Sequence, residues 1–471
     1  MTTLDNAKAT DLDFSELVSG LRGAFNARVT RPLDWRHEQL TQMAKMLEEN
    51  EGEFLAALTA DLGKPALEGW TTDISVTVNE IKLLDKKLDK WTADEKVRLP
   101  LTAQPGTGRI VREPLGVALV IAPWNYPIQL LLVPMAAAIA AGCAVVGKPS
   151  ELAPASSAAL ARLAPKYLDE RAIAIVEGGI AENEALLRER WDTIFYTGNG
   201  TVGRIIARAA AEHLTPVTLE LGGKSPVIVD RDADLKVAAN RIAWGKFLNA
   251  GQTCVAPDYL LVYDAVVDEL TDRITKSITS MYGDDPHQSA DYARIVNDRH
   301  FNRLTRLIDT DVVVAHGGRR DETDRYIEPT LLTNVRDDSP VMREEIFGPA
   351  LPIIPVSDVD AAIARVNAGD KPLALYAFSR NQDTLNHVVA NTSSGGVCLN
   401  HVVLHLIAPS LPFGGVGESG TGAYHGKANI DAFSHRKSVM NKPTRLDPPL
   451  LYPPFTRAKK WAVRKAMSLF G

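Results

Sequence analysis

Cysteine is scarce. The 471 residues hold three, Cys143, Cys254 and Cys398, at spacings that suit neither a disulfide framework nor a metal cluster. That excludes a small stapled scaffold and fits a reducing cytoplasm. Excess charge is lacking too: 52 Lys and Arg against 58 Asp and Glu leave −6, which gives no electrostatic reason to expect nucleic acid as a partner. The opening M-T-T-L-D-N-A-K-A-T-D has neither a basic nor an apolar stretch, so no signal peptide is expected. Low-complexity linkers and short-period repeats are missing, so the domains are expected to pack as one body. Charge is absent altogether from Leu115 to Gly147, where a hydropathy scan would read a membrane span. Pro123, Pro127 and Pro134 interrupt that run and Trp124-Asn125 lies inside it, so it reads instead as a fully buried strand–helix–strand unit of a parallel sheet.

What is present is ordinary globular material, 45% hydrophobic and 23% charged, in a chain long enough for two or three domains. Apolar residues recur at helical spacing from residue 11 to about 95, for example Phe14, Leu17, Leu21 and Phe25. Arg98 to Glu113 reads as a hairpin around Gln104–Gly108. Then strands and helices alternate: strands at Val117–Ile121, Ala144–Gly147, Ile173–Glu177, Thr193–Thr197 and Pro216–Leu221, with helices between them. A second block repeats the style through Val227–Val229, Tyr259–Val262, Leu351–Val356, Leu373–Phe378 and Val397–Asn400. The fold class expected is α/β, with two doubly wound sheets and the active site between them.

Six stretches carry chemistry. Cys254 stands in W-G-K-F-L-N-A-G-Q-T-C-V-A-P-D-Y, just past Gly251, in a loop that can hold a thiol exposed and aimed. Alone, a free cysteine is more often inert packing. Upstream, Glu220 precedes the pair Gly222-Gly223; a sulfur nucleophile with a carboxylate base makes a two-step acyl machine. Gly198, Gly200 and Gly203 form G-x-G-x-x-G between a strand and a helix, a phosphate-binding arrangement. A dinucleotide fold asks for an acid about twenty residues later to hold a ribose, and Glu220 is also in that place. Gly147-Lys148-Pro149-Ser150-Glu151 follows a buried strand, where Lys148 and Glu151 could hold the ribose instead. Asn125, between Pro123 and Pro127, is preorganised to donate to an oxyanion, and the alternative is a buried turn asparagine. Glu345 and Phe347, before Gly348-Pro349, suit a second ribose and a flat ring.

Taken together, P-W-N-Y-P, G-K-P-S-E, E-L-G-G-K-S-P, G-Q-T-C and E-E-I-F-G-P, in that order over residues 10 to 440, resemble the NAD(P)-dependent aldehyde dehydrogenase superfamily. Y-T-G-N at Tyr196–Asn199, K-P-L-A-L-Y-A-F-S at Lys371–Ser379 and L-P-F-G-G-V-G-E-S-G-T-G-A-Y-H-G-K at Leu411–Lys427 resemble its class 3, dimeric branch. The resemblance implies Cys254 as nucleophile, Glu220 as general base, and Asn125 with the Cys254 N–H as oxyanion hole. It implies Lys148 and Glu151 at the adenosine ribose, Glu345 at the nicotinamide ribose, Phe347 beside the nicotinamide and Gly198 at the diphosphate, with Trp124 and Gly203 also on the cofactor side. The expected organisation is a cofactor-binding domain of residues 1–96 and 114–221 and a catalytic domain of 222–430. Residues 97–113 and 431–471 are the bridging arm and the tail. The expected activity is oxidation of an aldehyde, medium or long aliphatic or aromatic, to the acid, in a cytoplasmic homodimer. NAD is the first cofactor, because Glu151 repels a ribose phosphate, and NADP the second.

Two rivals remain, and residues argue against each. Transfer of the acyl group to coenzyme A or phosphate leaves Glu220 without work, and a cofactor-free cysteine hydrolase has no use for Gly198 or Lys148. Where class 3 relatives carry Asn-Asp, this chain has Asn400-His401, which bears on substrate choice. His401 and His405 stand four apart as in a zinc helix, but without the accompanying glutamate, and no metal is expected. Past Pro448–Pro454 the tail alternates Arg457, Lys459, Lys460, Arg464 and Lys465 with Trp461, Val463, Met467, Leu469 and Phe470. It reads as a basic amphipathic stretch over the substrate mouth or on an anionic membrane surface, with a frayed terminus as the alternative.

Overall fold

A computed structural model describes residues 12–309, 312–445, 447 and 449–470. The N-terminal stretch read for a signal peptide, residues 1–11, and the tail side chains of Leu469 and Phe470 lie outside the described part. The helical reading of the first hundred residues holds: helices span Ser15–Asn26, Leu33–Glu49, Glu51–Leu62, Ala66–Gly69 and Val76–Thr92. Between the last two, Trp70–Ser75 are π-helical, a local widening often found at functional sites.

The first sheet runs, edge to edge, Gly420–Thr421, Val217–Leu221, Thr193–Gly198, Val117–Ile121, Ala144–Lys148, Ile173–Ile175. All but the short Gly420–Thr421 strand are mutually parallel. The charge-free run supplies its centre: both strands are buried throughout, and so is the connecting helix from Leu130 to Ala141. No helix among the described residues is long and apolar enough to cross a membrane. Chain order reverses between Val117–Ile121 and Thr193–Gly198, which opens a crevice at their carboxyl ends, beside Trp124-Asn125 and Gly198.

The second sheet runs Val313–His316, Thr330–Thr333, Ala350–Val356, Tyr259–Tyr263, Pro226–Val229, Ala374–Phe378, Gly396–Leu399. Sequence patterning found its five inner and right-hand strands, and missed Val313–His316 and Thr330–Thr333. The loops that carry Gly222-Gly223, Cys254 and Glu345–Pro349 all lie just before strands of this sheet. The two sheets therefore meet with the carboxyl edge of the first against the amino edge of the second. A side chain bond marks the seam: Asn125 Nδ2 donates to Gln252 O at 3.0 Å.

The expected hairpin at 98–113 is corrected in detail. Its first strand is Glu95–Val97, and the Arg98–Gly106 stretch is a loop with a short turn of helix at Leu101–Ala103. Pro100 and Pro105 have no N–H to give a ladder there. The second strand, Thr107–Pro114, takes Ser434–Asn441 along its other side in full register. That third strand, charged and largely exposed, had no hydrophobic signal to betray it. The tail ends in a helix, Arg457–Phe470, set against the Leu101–Ala103 turn with Trp461 exposed.

Candidate active site

The cysteine loop is built from strained backbone. The helix Leu235–Phe247 stops, and Asn249, Ala250 and Gly251 take φ of 51°, 51° and 76°. For Ala250 the left-handed region costs about 1–2 kcal/mol, so contacts must hold it. Asn249 N–H donates to Glu68 Oε1 at 2.9 Å, and its Nδ2 donates to the carbonyls of Asn125 and Gln252 at 2.9 and 3.2 Å. Gln252 Nε2 donates to Asn249 O and Arg294 O, and its Oε1 accepts from Val296 N–H. At Gly251 any Cβ would lie 2.3 Å from the carbonyl oxygen of Gly348, so the Glu345–Pro349 loop rests directly on the cysteine loop.

Cys254 follows in a turn, half-buried. Burial raises its thiol pKa well above the usual value, and the carboxyls of Glu345 and Glu220 raise it further. The other cysteines differ. Cys143 is fully buried and donates Sγ–H to Phe433 O at 3.5 Å, and Cys398 sits within the Gly396–Leu399 strand. All three thiols are unpaired.

Glu220 lies on Val217–Leu221 at 2% exposure, flanked in the sheet by Thr197 and Gly420. Neither carboxylate oxygen has a hydrogen-bond partner. Burial pushes its pKa well above the ordinary carboxyl range, and the nearby Gly415 N–H, short of a full hydrogen bond, offsets this only in part. The group is enclosed between its two neighbouring strands, and its charge is felt at the Cys254 thiol.

Asn125, 2% exposed, is anchored at both ends of its residue. Its carbonyl accepts from Lys64 Nζ at 3.0 Å and Asn249 Nδ2 at 2.9 Å, while its side-chain amide keeps one N–H beyond the bond to Gln252. Tyr126 adds a second link, its hydroxyl 2.6 Å from Thr253 Oγ1, next to Cys254.

Of the remaining residues, Lys148, Glu151 and Gly198 stand at or just past the carboxyl ends of strands of the first sheet, and Glu345 and Phe347 just before a strand of the second. Lys148 ends its strand buried, donating from Nζ to Pro149 O at 2.7 Å and Gly178 O at 2.6 Å; burial lowers its pKa against the pull of Glu151. Glu151 is exposed three residues on, free to meet hydroxyls. Gly198 ends its strand at the start of the Gly200–Ala211 helix, which Asn199 caps on Val202 N–H. A side chain at Gly203 would come within 2.9 Å of Leu221, so that glycine serves helix–sheet packing. Glu345 lies over Gly222, where a Cβ would be 2.1 Å from Oε2; burial, then Asp258, pushes its carboxyl up to about 8. Phe347, at φ 47°, meets Trp124 edge-on at 5.5 Å between ring centroids. A cavity of about 530 Å³ opens between Asn199-Gly200, Gly222-Gly223 and Glu345. Backbone without side chains, a helix start, a lysine and two carboxylates at strand ends together fit a dinucleotide.

His401 and His405 do not face one another as a ligand pair. His401 packs edge-on against Trp244 at 5.9 Å, whereas His405 stands between Tyr376 and Phe413 with both ring nitrogens unpartnered, its pKa lowered by burial to about 4.

Sequence reasoning missed the support beneath the site. Lys64 and Asp73 form an ion pair of 2.8 Å with both side chains fully buried, and Glu68 holds the Asn249 N–H. Lys64 comes from the short connection between the Glu51–Leu62 and Ala66–Gly69 helices, Glu68 from the second of these and Asp73 from the π-helical turn that follows. The Gln and Thr of G-Q-T-C and the Tyr of P-W-N-Y-P stood inside recognised motifs without an assigned role.

Comparison with known proteins agrees across nearly the whole length. The profile of the aldehyde dehydrogenase family matches residues 2–439. A Rattus norvegicus protein named "Aldehyde dehydrogenase, dimeric NADP-preferring" is 49% identical over 91% of this chain and 94% of its own. "Aldehyde dehydrogenase family 3 member H1" of Arabidopsis thaliana is 48% identical over 94% and 93%. The solved structure "Substrate bound state of Staphylococcus Aureus AldH" superimposes with a TM-score of 0.94 at 44% identity, over 97% of this chain and 100% of that one.

Proposed function

The chain belongs to the aldehyde dehydrogenase family and is an NAD(P)-dependent oxidoreductase of aldehydes, and we propose that it works through a thioester on Cys254 that Glu220-activated water hydrolyses. NAD(P), when bound, supplies the hydride acceptor and a positive ring charge. Cys254, whose thiol pKa burial and two carboxyls raise, gives up its proton to water and attacks the aldehyde carbonyl as the thiolate. The oxygen of the resulting thiohemiacetal takes hydrogen bonds from the second N–H of Asn125 Nδ2 and from the Cys254 N–H. Loss of hydride from that carbon leaves the thioester. Glu220 removes a proton from water, the hydroxide adds to the thioester carbonyl, and the thiolate of Cys254 leaves as the acid forms.

Along the first sheet Lys148 and Glu151 would hold the adenosine ribose and Gly198 the diphosphate, beside the helix that Gly203 lets pack closely on the sheet, and Trp124, Glu345 and Phe347 would meet the nicotinamide end. NAD is the first choice because Glu151 repels a ribose phosphate. On this reading residues 1–96 and 114–221 are the cofactor domain, 222–430 the catalytic domain, and the three-stranded arm with the tail serves a homodimer. Three unpaired thiols support a cytoplasmic location. Substrates are medium or long aliphatic or aromatic aldehydes, with His401 on the wall that sorts them.

The observation that carries the mechanism is Glu220, a buried carboxyl with both oxygens unpartnered in the field of Cys254. The test is stoichiometry. Aldehyde should drive NAD reduction with one acid formed per NADH and no coenzyme A. Dependence on coenzyme A, with an acyl-coenzyme A product, would refute hydrolysis.

A further inference from the structure

We propose that Lys64 is a positioning residue for this reaction: its buried ammonium sets Asn125 in register with the Cys254 loop. The proposal rests on Asn125 being the oxyanion donor. The ammonium makes three close contacts, and its charge also reaches Glu68. It donates to Asp73 Oδ2 at 2.8 Å and to Asn125 O at 3.0 Å, and it lies 4.1 Å from the centroid of the Tyr126 ring. Tyr126 in turn holds Thr253, next to Cys254. Asp73 also reaches the start of the Gln129–Ala141 helix, its Oδ1 accepting from Ile128 N–H at 3.3 Å and Gln129 N–H at 3.4 Å. One ion pair thus touches both residues between Trp124 and Pro127 and the helix that follows them.

Stability alone does not account for this pair. Both side chains are fully buried, and the desolvation of two charges commonly cancels their attraction, so apolar residues of similar volume would serve the fold as well. What apolar residues cannot do is donate to Asn125 O. With Lys64 on one lone pair and Asn249 Nδ2 on the other, the Asn125 peptide cannot rotate without breaking a bond on either side. Its side-chain amide is thereby aimed from a fixed origin. Lys64 itself is fixed by its neighbours: Gly63 takes φ 58° to end the preceding helix, Pro65 follows, and Thr59 Oγ1 donates to Lys64 O at 3.0 Å.

The experiment is a double-mutant cycle read by single-turnover NADH formation. Lys64→Met alone leaves Asp73 buried and unpaired, so the working variant is the charge-free pair Lys64→Met/Asp73→Asn. It should fold, bind NAD with the wild-type Kd, and form NADH roughly 10–100-fold more slowly. Lys64→Arg, which keeps the charge and the Asp73 pairing but moves the donor, is the second variant and should also be slow. In an Asn125→Ala background the charge-free pair should slow the enzyme by less than about threefold more, because Lys64 acts through Asn125. Full additivity with Asn125→Ala, or wild-type NADH formation by either folded Lys64 variant, would overturn the proposal. Wild-type NADH formation by Asn125→Ala itself would overturn instead the oxyanion assignment on which it stands.

Discussion

Replacing Glu220 with Gln separates two jobs that the sequence left open for one carboxylate. The change keeps volume and loses no hydrogen bond, because neither carboxylate oxygen has a partner. It removes basicity. A general base contributes roughly 10²–10⁴ in rate, about 3–5 kcal/mol of barrier at 1.36 kcal/mol per decade, and the whole loss should fall on thioester hydrolysis. Since burial raises the Glu220 pKa, wild-type hydrolysis should quicken as pH rises and the carboxyl ionises, and the variant should lack that limb. NAD affinity should stay near wild type, because Glu220 is enclosed beside Gly420 while Glu151 stands exposed at the crevice. Rapid mixing with aldehyde and NAD, quenched for intact-mass detection, should show protein carrying one acyl group on Cys254. A strong rise in the NAD Kd with no acyl-enzyme would refute the reasoning and return Glu220 to the ribose.

Glu151→Gln should do the reverse, weakening NAD binding and improving NADP use without thioester build-up; unchanged affinity for both cofactors by titration calorimetry would contradict its placement. Glu68 is held up to about 7 by burial, against an ordinary 4.5. A raised acid costs the fold nothing below its unfolded value and most above its folded one, so the penalty grows from pH 4.5 through 7 and reaches about 3 kcal/mol at 1.36 kcal/mol per pH unit. Glu68→Gln, which can still accept from Asn249 N–H, should therefore raise the unfolding temperature at pH 8 and leave it nearly unchanged at pH 5; equal shifts at both would contradict this. Deleting the chain from Arg457 onward should alter turnover of long-chain aldehydes more than of short ones, and an equal effect on both would assign the tail to a solvated terminus.

Much of this was legible in the sequence because parallel α/β sheets write themselves as apolar runs punctuated by glycine. Val117–Ile121 and Ala144–Lys148 are buried on both faces, so no polar alternation blurs them. Ser434–Asn441, which completes the arm, is largely polar and exposed and pairs with residues more than three hundred positions away, so no local pattern could place it. The strand-end rule was a partial guide. It found Asn125 and Gly198 on the first sheet, but on the second sheet the cysteine, the Gly222-Gly223 pair and Glu345 all precede their strands. Glu220 could not be assigned from spacing, since its position suits a ribose and a base equally; its enclosure, invisible in the sequence, is what the proposed mechanism builds on. Lys64, in a connection between helices, and Asp73, in the π-helical turn, were invisible because a charged residue carries no mark of being buried until its partner is known.

Cys254 carries the whole of the proposed mechanism. Aldehyde-dependent NADH formation should vanish in Cys254→Ala while NAD binding persists, and should remain near wild type in Cys143→Ala and Cys398→Ala, whose thiols lie in the core and in a strand. If Cys398→Ala were as inactive as Cys254→Ala, or if Cys254→Ala still formed NADH from aldehyde, the nucleophile would be misassigned and the proposed mechanism would fall.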